Sequence, residues 1–338
     1  MSTGATGTQD VLLRIEDLRV VFDTDEGPIH AVSGVSLDIR RGETLGLVGE
    51  SGCGKSVTAL AVLRLIPRPP GRVVSGRIAF HGEDLLSLPI ERLRAIRGNA
   101  IGMIFQEPMT ALSPLHRVGD QLAEALAFHR TDSSGPARDT ALAWLRKVGI
   151  PDPERCYEAY PHQLSGGMRQ RAMIAMALLL GPELMIADEP TTALDVTIQA
   201  QVLGLMREVR GPETSMLLIT HDMGIVWEMC DRVAVMYAGE VMETGTVDEV
   251  LKHPLNPYTE ALLESVPANV SVGGRLPVIP GQVAQAKDDA VGCRFADRCR
   301  HAFDRCRREH PELVTHGAGA SRCWLAAKRH ERRGRTGT

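Results

Sequence analysis

The sequence predicts an α/β fold: a core of buried parallel strands, an antiparallel β subdomain, a helical insertion subdomain and a small cysteine-containing C-terminal extension. Three observations predict it. Short apolar runs bounded by turn or polar residues recur in AIGMIFQ, ELMIADE and SMLLITHD, starting at Ala100, Glu183 and Ser215, as buried parallel strands do. Near the N-terminus, apolar and polar residues alternate in the manner of half-buried antiparallel strands. Between residues 106 and 184 the composition is helical and carries no strand signal.

The elements follow in order. VLLRIEDLRVVF (11–22) and VSLDI (35–39) are the antiparallel strands, and the ten residues before them are small and polar. TLGLVGE (44–50) runs into a glycine turn and then SVTALAVLRLI (56–66), whose spacing is helical. QLAEALAF, ALAWLRKVGI and MIAMALLL make the helical insertion, about 107–183. VTIQAQVLGLMREV (196–209) is a further helix, and VAVMYAGEVMETG (233–245) reads as a hairpin turning at Ala238 and Gly239. After Val266 come Pro, Gly and Val in a linker-like mixture, which divides the chain into residues 1–266 and an extension, 267–338. There is no internal repeat and no low-complexity block.

Composition sets the bounds. At 338 residues, 43% apolar and 24% charged, the chain is long enough for one large core or two domains, which excludes disorder and fibrous classes for most of it. The apolar run that contains MIAMALLL (173–180) is far short of the roughly 20 residues that cross a bilayer. MSTGATGTQD has no basic segment followed by an apolar core, so a cytoplasmic chain is expected. Seven cysteines in a reducing compartment point to burial, metal binding or chemistry rather than disulfides. The net charge of −4 conceals an asymmetry: from Val291 onward the net is +7, leaving −11 for residues 1–290.

GESGCGKS (49–56) fits the pattern G-x-x-x-x-G-K-[ST] between a predicted strand and a helix. Gly49, Gly52 and Gly54 let the backbone curl so that successive N–H groups, with those of Ser51 and Cys53, point at one anion. Lys55 would reach the β and γ phosphates and Ser56 would hold Mg²⁺. Because it lies near phosphate and a helix N-terminus, Cys53 is expected to have a lowered pKa and to be open to alkylation. LMIADE ends a buried strand in two carboxylates that alternation aims differently, Asp188 for the metal shell and Glu189 for water. The two motifs together predict a nucleoside triphosphatase with a P-loop NTPase core.

LSGGMRQR (164–171) decides which kind. With it the chain resembles, over nearly its whole length, the ATP-binding subunits of ABC transporters. Physically, Ser165, Gly166 and Gly167 offer a hydroxyl and unhindered N–H groups at a helix N-terminus, a second phosphate cradle. The resemblance implies that Leu164, Ser165, Gly166, Gly167 and Met168 close on the ATP held by the P-loop of a partner subunit. It also implies roles one by one. Phe22 stacks on adenine, Gln106 senses Mg²⁺ and attacking water, Asp195 in TTALD links the two sites, and His221 contacts the γ-phosphate. TTALD departs from the family's usual SALD, and Cys53 from its usual serine. Glu189 and His221 together imply a hydrolysing subunit rather than a regulatory one.

Three segments, EPMTALSPLHRVGDQLAEAL (107–126), YPHQLSGGMRQR (160–171) and HPLNPYTEALLESVP (253–267), resemble the oligopeptide and dipeptide importer ATPases, a group that also serves nickel. The resemblance implies two transmembrane permease subunits, a second ATPase subunit, an extracytoplasmic solute-binding protein and a peripheral place on the cytoplasmic face of the membrane. No direct contact with nucleic acid is expected. Pro108, Met109, Leu112 and Pro114 form an apolar patch that either receives a membrane partner or packs the helical insertion. Cys293, Cys299, Cys306 and Cys323 lack the usual zinc-knuckle and ferredoxin spacings, so spacing alone leaves a four-cysteine metal site and buried thiols both open. The resemblance favours a [4Fe-4S] cluster over Zn²⁺. Cys156 and Cys230 read as isolated packing residues, and KRHERRGRTGT as a solvated end. The alternative class is a soluble ABC-type ATPase working on nucleic acid or the ribosome. Such proteins carry two ATP-binding halves or a long coiled-coil insert, and neither is present.

Overall fold

The computed structural model describes residues 11–106, 111–129, 137–191, 196–265, 278–283 and 291–330. The chain divides into two units, one made of Met1–Ser87 with Ile219–Thr338 and the other of Leu88–Leu218.

The first unit begins with an antiparallel hairpin, β1 (Val11–Thr24) and β2 (Gly27–Arg40). Strand β3 (Thr44–Val48) then leads through the glycine turn into α1 (Lys55–Val62). This helix stops four residues before the apolar pattern does, because Arg64 adopts φ 51° and the run ends at Pro67. Strands β4 (Gly71–Phe80) and β5 (Glu83–Asp84) complete a four-stranded antiparallel sheet in the order β2-β1-β4-β5. Alternation in β1 buries Leu13, Ile15, Leu18 and Val20 to within 1%.

In the second unit, α2 (Ile90–Ile96) precedes β6 (Ile101–Ile104). The helical insertion follows as α3 (Val118–His129), α4 (Ala137–Lys147), α5 (Pro153–Glu158) and α6 (Gly166–Leu178), with no strand among the described residues, as expected. Asp152 starts α5 by accepting from the Arg155 N–H at 3.1 Å, with Pro153 at the first helical position. Leu122 and Leu126 on α3 and Leu142 and Leu145 on α4 face inward and are buried. Strand β7 (Leu184–Asp188) runs parallel to β6 from Ile101↔Leu184 to Ile104↔Ala187 and is buried throughout. Helix α7 (Val196–Val209) and strand β8 (Ser215–Thr220) follow, and β8 carries the chain back to the first unit.

There the chain forms α8 (Met223–Met229), β9 (Arg232–Tyr237) and β10 (Glu240–Thr246). The expected hairpin turns at Ala238 (φ 45°) and Gly239 (φ 86°), the two positive φ values of a tight primed turn. Strand β9 lies parallel to β3. Next come α9 (Val247–Lys252), opened by a capping box between Thr246 and Glu249, and α10 (Pro257–Glu264), capped by Asn256. The extension adds α11 (Asp304–Arg308) and the short strands β11 (Val314–His316) and β12 (Gly319–Ser321). Strand β12 pairs with β10 at Glu243↔Ser321 and Thr244↔Ala320, so the extension continues the sheet in the order β11-β12-β10-β9-β3. It also supplies core: the ring of Phe295 lies 5.3 Å from Tyr237 and 5.1 Å from Tyr258, which are 4.7 Å from each other. The expected division at residue 266 falls on 266–277, outside the described residues.

The acidic body and the basic extension meet at Glu240, 5% exposed. Its carboxylate lies 3.2 Å from Arg294 and 2.9 Å from His310. Burial pushes its pKa up, but the His310 hydrogen bond and the charges of Arg294 and Arg322 more than offset this, and the net shift is below the usual 4.5. A depressed folded value means that the stabilisation is present above about 4.5 and is lost as pH falls through the folded value. Glu240→Gln should cost about 3–5 kcal/mol at neutral pH, as expected when a buried ion pair loses one member. The gap between wild-type and variant melting temperatures should close as pH drops below 4.5 in a thermal-unfolding series; a gap independent of pH would refute this role.

Candidate functional site

The phosphate loop lies between β3 and α1, where the motif needs it. Its backbone is shaped by glycine: Gly49 has φ 150° and Gly54 φ 105°. A Cβ at Gly49 would sit 2.1 Å from the Met236 carbonyl oxygen, and one at Gly54 2.2 Å from that of Ala31. The loop is thus pressed against its neighbours with no room for a side chain at either position. Lys55, 4% exposed, folds back so that Nζ donates to the carbonyls of Gly49 (2.9 Å) and Glu50 (3.0 Å). Ser56 is half-buried in the first turn of α1, a helix whose N-cap, Gly54, has no side-chain partner, so the first-turn N–H groups are left to the loop. The loop therefore fits a phosphate chain in its N–H set, its lysine and its lack of side chains.

Cys53 corrects the sequence reading. It is fully buried, and its sulfur would lie 2.9 Å from a Cβ on Gly49. Burial pushes its thiol above the usual 9.0, and the nearby Lys55 charge only partly opposes this. Helix and phosphate proximity were the wrong guide because the side chain points into the protein.

Two other predicted residues belong to the first unit. Phe22, half-buried near the end of β1, stands opposite Ile29 and Gly71, and its ring occupies the space a Cβ on Gly71 would need. His221 is exposed directly after β8. The next residue, Asp222, caps α8 by accepting from the Gly224 N–H at 2.7 Å, which fixes the turn that carries the histidine.

In the second unit, β7 ends at the buried Asp188, and Glu189 follows with φ 45°, a left-handed conformation rare outside glycine. Gln106 comes to it from the end of β6, its Nε2 donating to Glu189 Oε2 at 3.3 Å. The structure so brings together two of the residues singled out for handling water. Ser165 is the N-cap of α6 and accepts from the Met168 N–H at 3.3 Å. Leu164 is buried, whereas a Cβ on Gly166 or Gly167 would meet nothing within 4 Å. Packing among the described residues does not require a glycine at either position. Sequence reasoning missed Gln170, which is buried and donates to the Pro190 carbonyl, tying α6 to the end of the DEP turn. Its only signal was a polar residue on the apolar face of a helix. Asp195, Pro108 and Met109 lie outside the described residues.

The four tail cysteines line one cavity of about 20 Å³, with Phe295, Pro311 and Trp324 among its other walls. Burial raises the thiol of Cys293 to about 12 and that of Cys323 to about 11, and raises that of Cys299 as well. Four sulfurs around an apolar space suit a thiophilic metal by chemistry. Yet among the described residues no group of three or more His, Cys, Asp or Glu side chains is set to hold a metal ion. All four are free cysteines of intermediate exposure.

A glycine-shaped phosphate loop, a strand ending in paired carboxylates and an LSGGM turn at an open helix N-terminus define an ABC-type nucleotide-binding protein. The chain belongs to the ATP-binding proteins of ABC transporters. Residues 32–192 match the family described as ABC transporter, and residues 242–306 match the oligopeptide/dipeptide transporter C-terminal region. A probable peptide ABC transporter ATP-binding protein of Sinorhizobium fredii, y4tR, is 51% identical over 93% of this chain and 95% of its own length. The dipeptide transport ATP-binding protein DppD of Bacillus subtilis is 48% identical over 95% of this chain and 96% of its own. Among solved structures, the post-hydrolysis dimer of the ATP-binding cassette MJ0796 with ADP and Pi matches with a TM-score of 0.62 at 26% identity, covering 70% of this chain and 98% of that one.

The burial of Cys53 gives a direct test. Iodoacetamide at pH 8 should leave Cys53 unmodified in the folded protein and label it fully in denaturant, read by peptide mass spectrometry. Labelling of the folded protein at the rate of a free thiol would contradict the buried placement.

Proposed function

We propose that this chain hydrolyses ATP to drive the import of dipeptides or oligopeptides, as the ATP-binding subunit of an ABC importer. The observation that carries the reading is the pairing, in one chain, of a phosphate loop and a second, bare helix N-terminus at Gly166 and Gly167. A chain with two such cradles suits a dimer in which each ATP is enclosed by the loop of one subunit and the signature of the other. The peptide assignment draws on the named functions of the Sinorhizobium and Bacillus relatives and on the matching C-terminal region.

Phosphoryl transfer to water needs positioning and charge neutralisation more than covalent chemistry. In this reading the loop from Gly49 to Lys55, with the Lys55 ammonium, holds the β and γ phosphates, and Phe22 packs on the base. Ser56 and Asp188 would hold Mg²⁺, which when bound neutralises phosphate charge. Glu189 orients water and accepts its proton, and the Gln106 amide, already at 3.3 Å, steadies that carboxylate. His221 binds the γ-phosphate, Leu164 to Met168 complete the shell from the second subunit, and Asp195 communicates between the two sites.

No helix among the described residues is long and apolar enough to cross a membrane. The route for the solute is therefore assigned to two permease subunits, with the chain peripheral on the cytoplasmic face, beside a second ATPase subunit that is a paralogue, and supplied by an extracytoplasmic solute-binding protein. Exposed Pro114 and Leu115, beyond the buried Leu112, belong to the segment assigned to the permease contact. For the extension, Cys293, Cys299, Cys306 and Cys323 are proposed as ligands of a [4Fe-4S] cluster, with Zn²⁺ as the second choice. Their sharing of one cavity supports this.

In vesicles carrying the assembled transporter, Glu189→Gln should lower ATP turnover by about 10²–10⁴-fold while MgATP binding survives. Peptide-loaded binding protein should stimulate wild-type turnover. Unchanged turnover in the variant would remove the role of Glu189, and stimulation by nickel salt alone would reassign the solute. Chain purified without oxygen should be brown and carry iron and acid-labile sulfide in four-to-one ratio to protein; colourless protein with one zinc would select the alternative, and metal-free protein neither.

A further inference from the structure

Glu50 is a variable position of the phosphate loop, yet it is the most heavily anchored residue there. Its N–H donates to Tyr258 Oη at 3.0 Å, and its carbonyl accepts from Lys55 Nζ at 3.0 Å and from the Cys53 N–H at 3.3 Å. Its carboxylate takes both arms of Arg298, Nη1 to Oε2 at 2.7 Å and Nη2 to Oε1 at 2.9 Å. The side chain of Arg298 is only 7% exposed. It also donates from Nε to the Pro280 carbonyl at 2.8 Å, from Nη1 to Tyr237 Oη at 3.4 Å and from Nη2 to the Ile279 carbonyl at 3.2 Å. A guanidinium has five N–H groups, and these contacts employ all five. Arg294 makes a second strut: it donates to the Ala238 carbonyl, and the neighbouring Gly239 N–H donates to the Cys53 carbonyl at 2.9 Å.

We propose that Arg298, acting through Glu50, is a positioning residue for ATP. A free carboxylate in a loop that must accept a triphosphate repels it. The bidentate pair neutralises that charge and holds it in one orientation. The same pair, with Tyr258, holds the Glu50 backbone, so the loop is ordered before nucleotide arrives and less ordering cost falls on binding. Arg298 directly precedes Cys299, and Arg294 directly follows Cys293, so the cysteine-lined lobe is the frame that aims both struts.

The inference rests on the reading of residues 49–56 as the ATP loop, and the test separates the two. MgATP titration of the full chain and steady-state kinetics of the assembled transporter are measured for Arg298→Lys, Glu50→Gln, the double variant and Lys55→Ala. Arg298→Lys keeps the charge and loses the fork. Each single variant should raise Kd and KM for ATP about 5- to 10-fold, as the loss of a charge-assisted bond predicts, with kcat nearly unchanged. The double variant should be no worse than either single one, because both remove the same interaction. Multiplying effects, or a lower melting temperature with unchanged KM, would overturn the proposal. If Arg298→Lys does not fold, Glu50→Gln leaves the extension's own sequence intact and decides alone, an unchanged KM counting against the proposal. ATP binding retained in Lys55→Ala would instead remove the loop reading itself, and the inference with it.

Discussion

The first unit is organised around the close approach of a backbone to a backbone. At Gly49 the phosphate loop passes so near the Met236 carbonyl that no Cβ fits, and at Gly54 it passes equally near that of Ala31. Such an approach is possible only if β3 and β9 lie side by side in parallel and the β9–β10 turn returns over the loop, as the bond between Gly239 N–H and the Cys53 carbonyl shows. The loop is thereby held at Glu50, whose N–H donates to Tyr258 Oη, and at Cys53, whose carbonyl accepts from Gly239. The buried Cys53 sulfur and the inward Lys55 follow from the same constraint.

Charge is arranged to support this packing. Among the described residues, several arginines of the extension are paired with acids. Arg294 pairs with Glu240, Arg298 with Glu50, and Arg300 and Arg329 with Glu260. The exposed members of this set contribute little individually. Glu240 and Glu50 differ because their arginine partners are buried, so each pair is costly to break. These four arginines of the tail thus meet acids of the first unit, and Phe295 of the extension is part of that unit's core.

Local patterns were legible in the sequence and long-range ones were not. The phosphate loop, the DEP strand end, the LSGGM turn, helix 196–209 and the hairpin at Ala238 and Gly239 each depend on a few consecutive residues whose types the local geometry demands. Strand β4 escaped notice because VVSGRIAF is broken by a bulge opposite Asp17, which has φ 42° and disrupts strict alternation. The partners of Glu50 escaped for a different reason: Tyr258 and Arg298 lie 208 and 248 positions away, and nothing near either residue marks its destination. Cys53 was misjudged because helix-dipole and phosphate arguments concern direction in the chain, whereas its thiol answers to burial.

The separation between Glu50 and Arg298 also sets an order of events during synthesis. A ribosome adding about 5–20 residues per second makes the loop early and its arginine roughly tens of seconds later. Until residues 232–239 are made β3 lacks both β9 and the turn at Ala238, and until residue 298 is made Glu50 lacks its guanidinium partner. The nascent chain therefore cannot present a finished nucleotide loop while most of it is still being made. The contacts that hold the loop are thus complete only once residue 298 has been made.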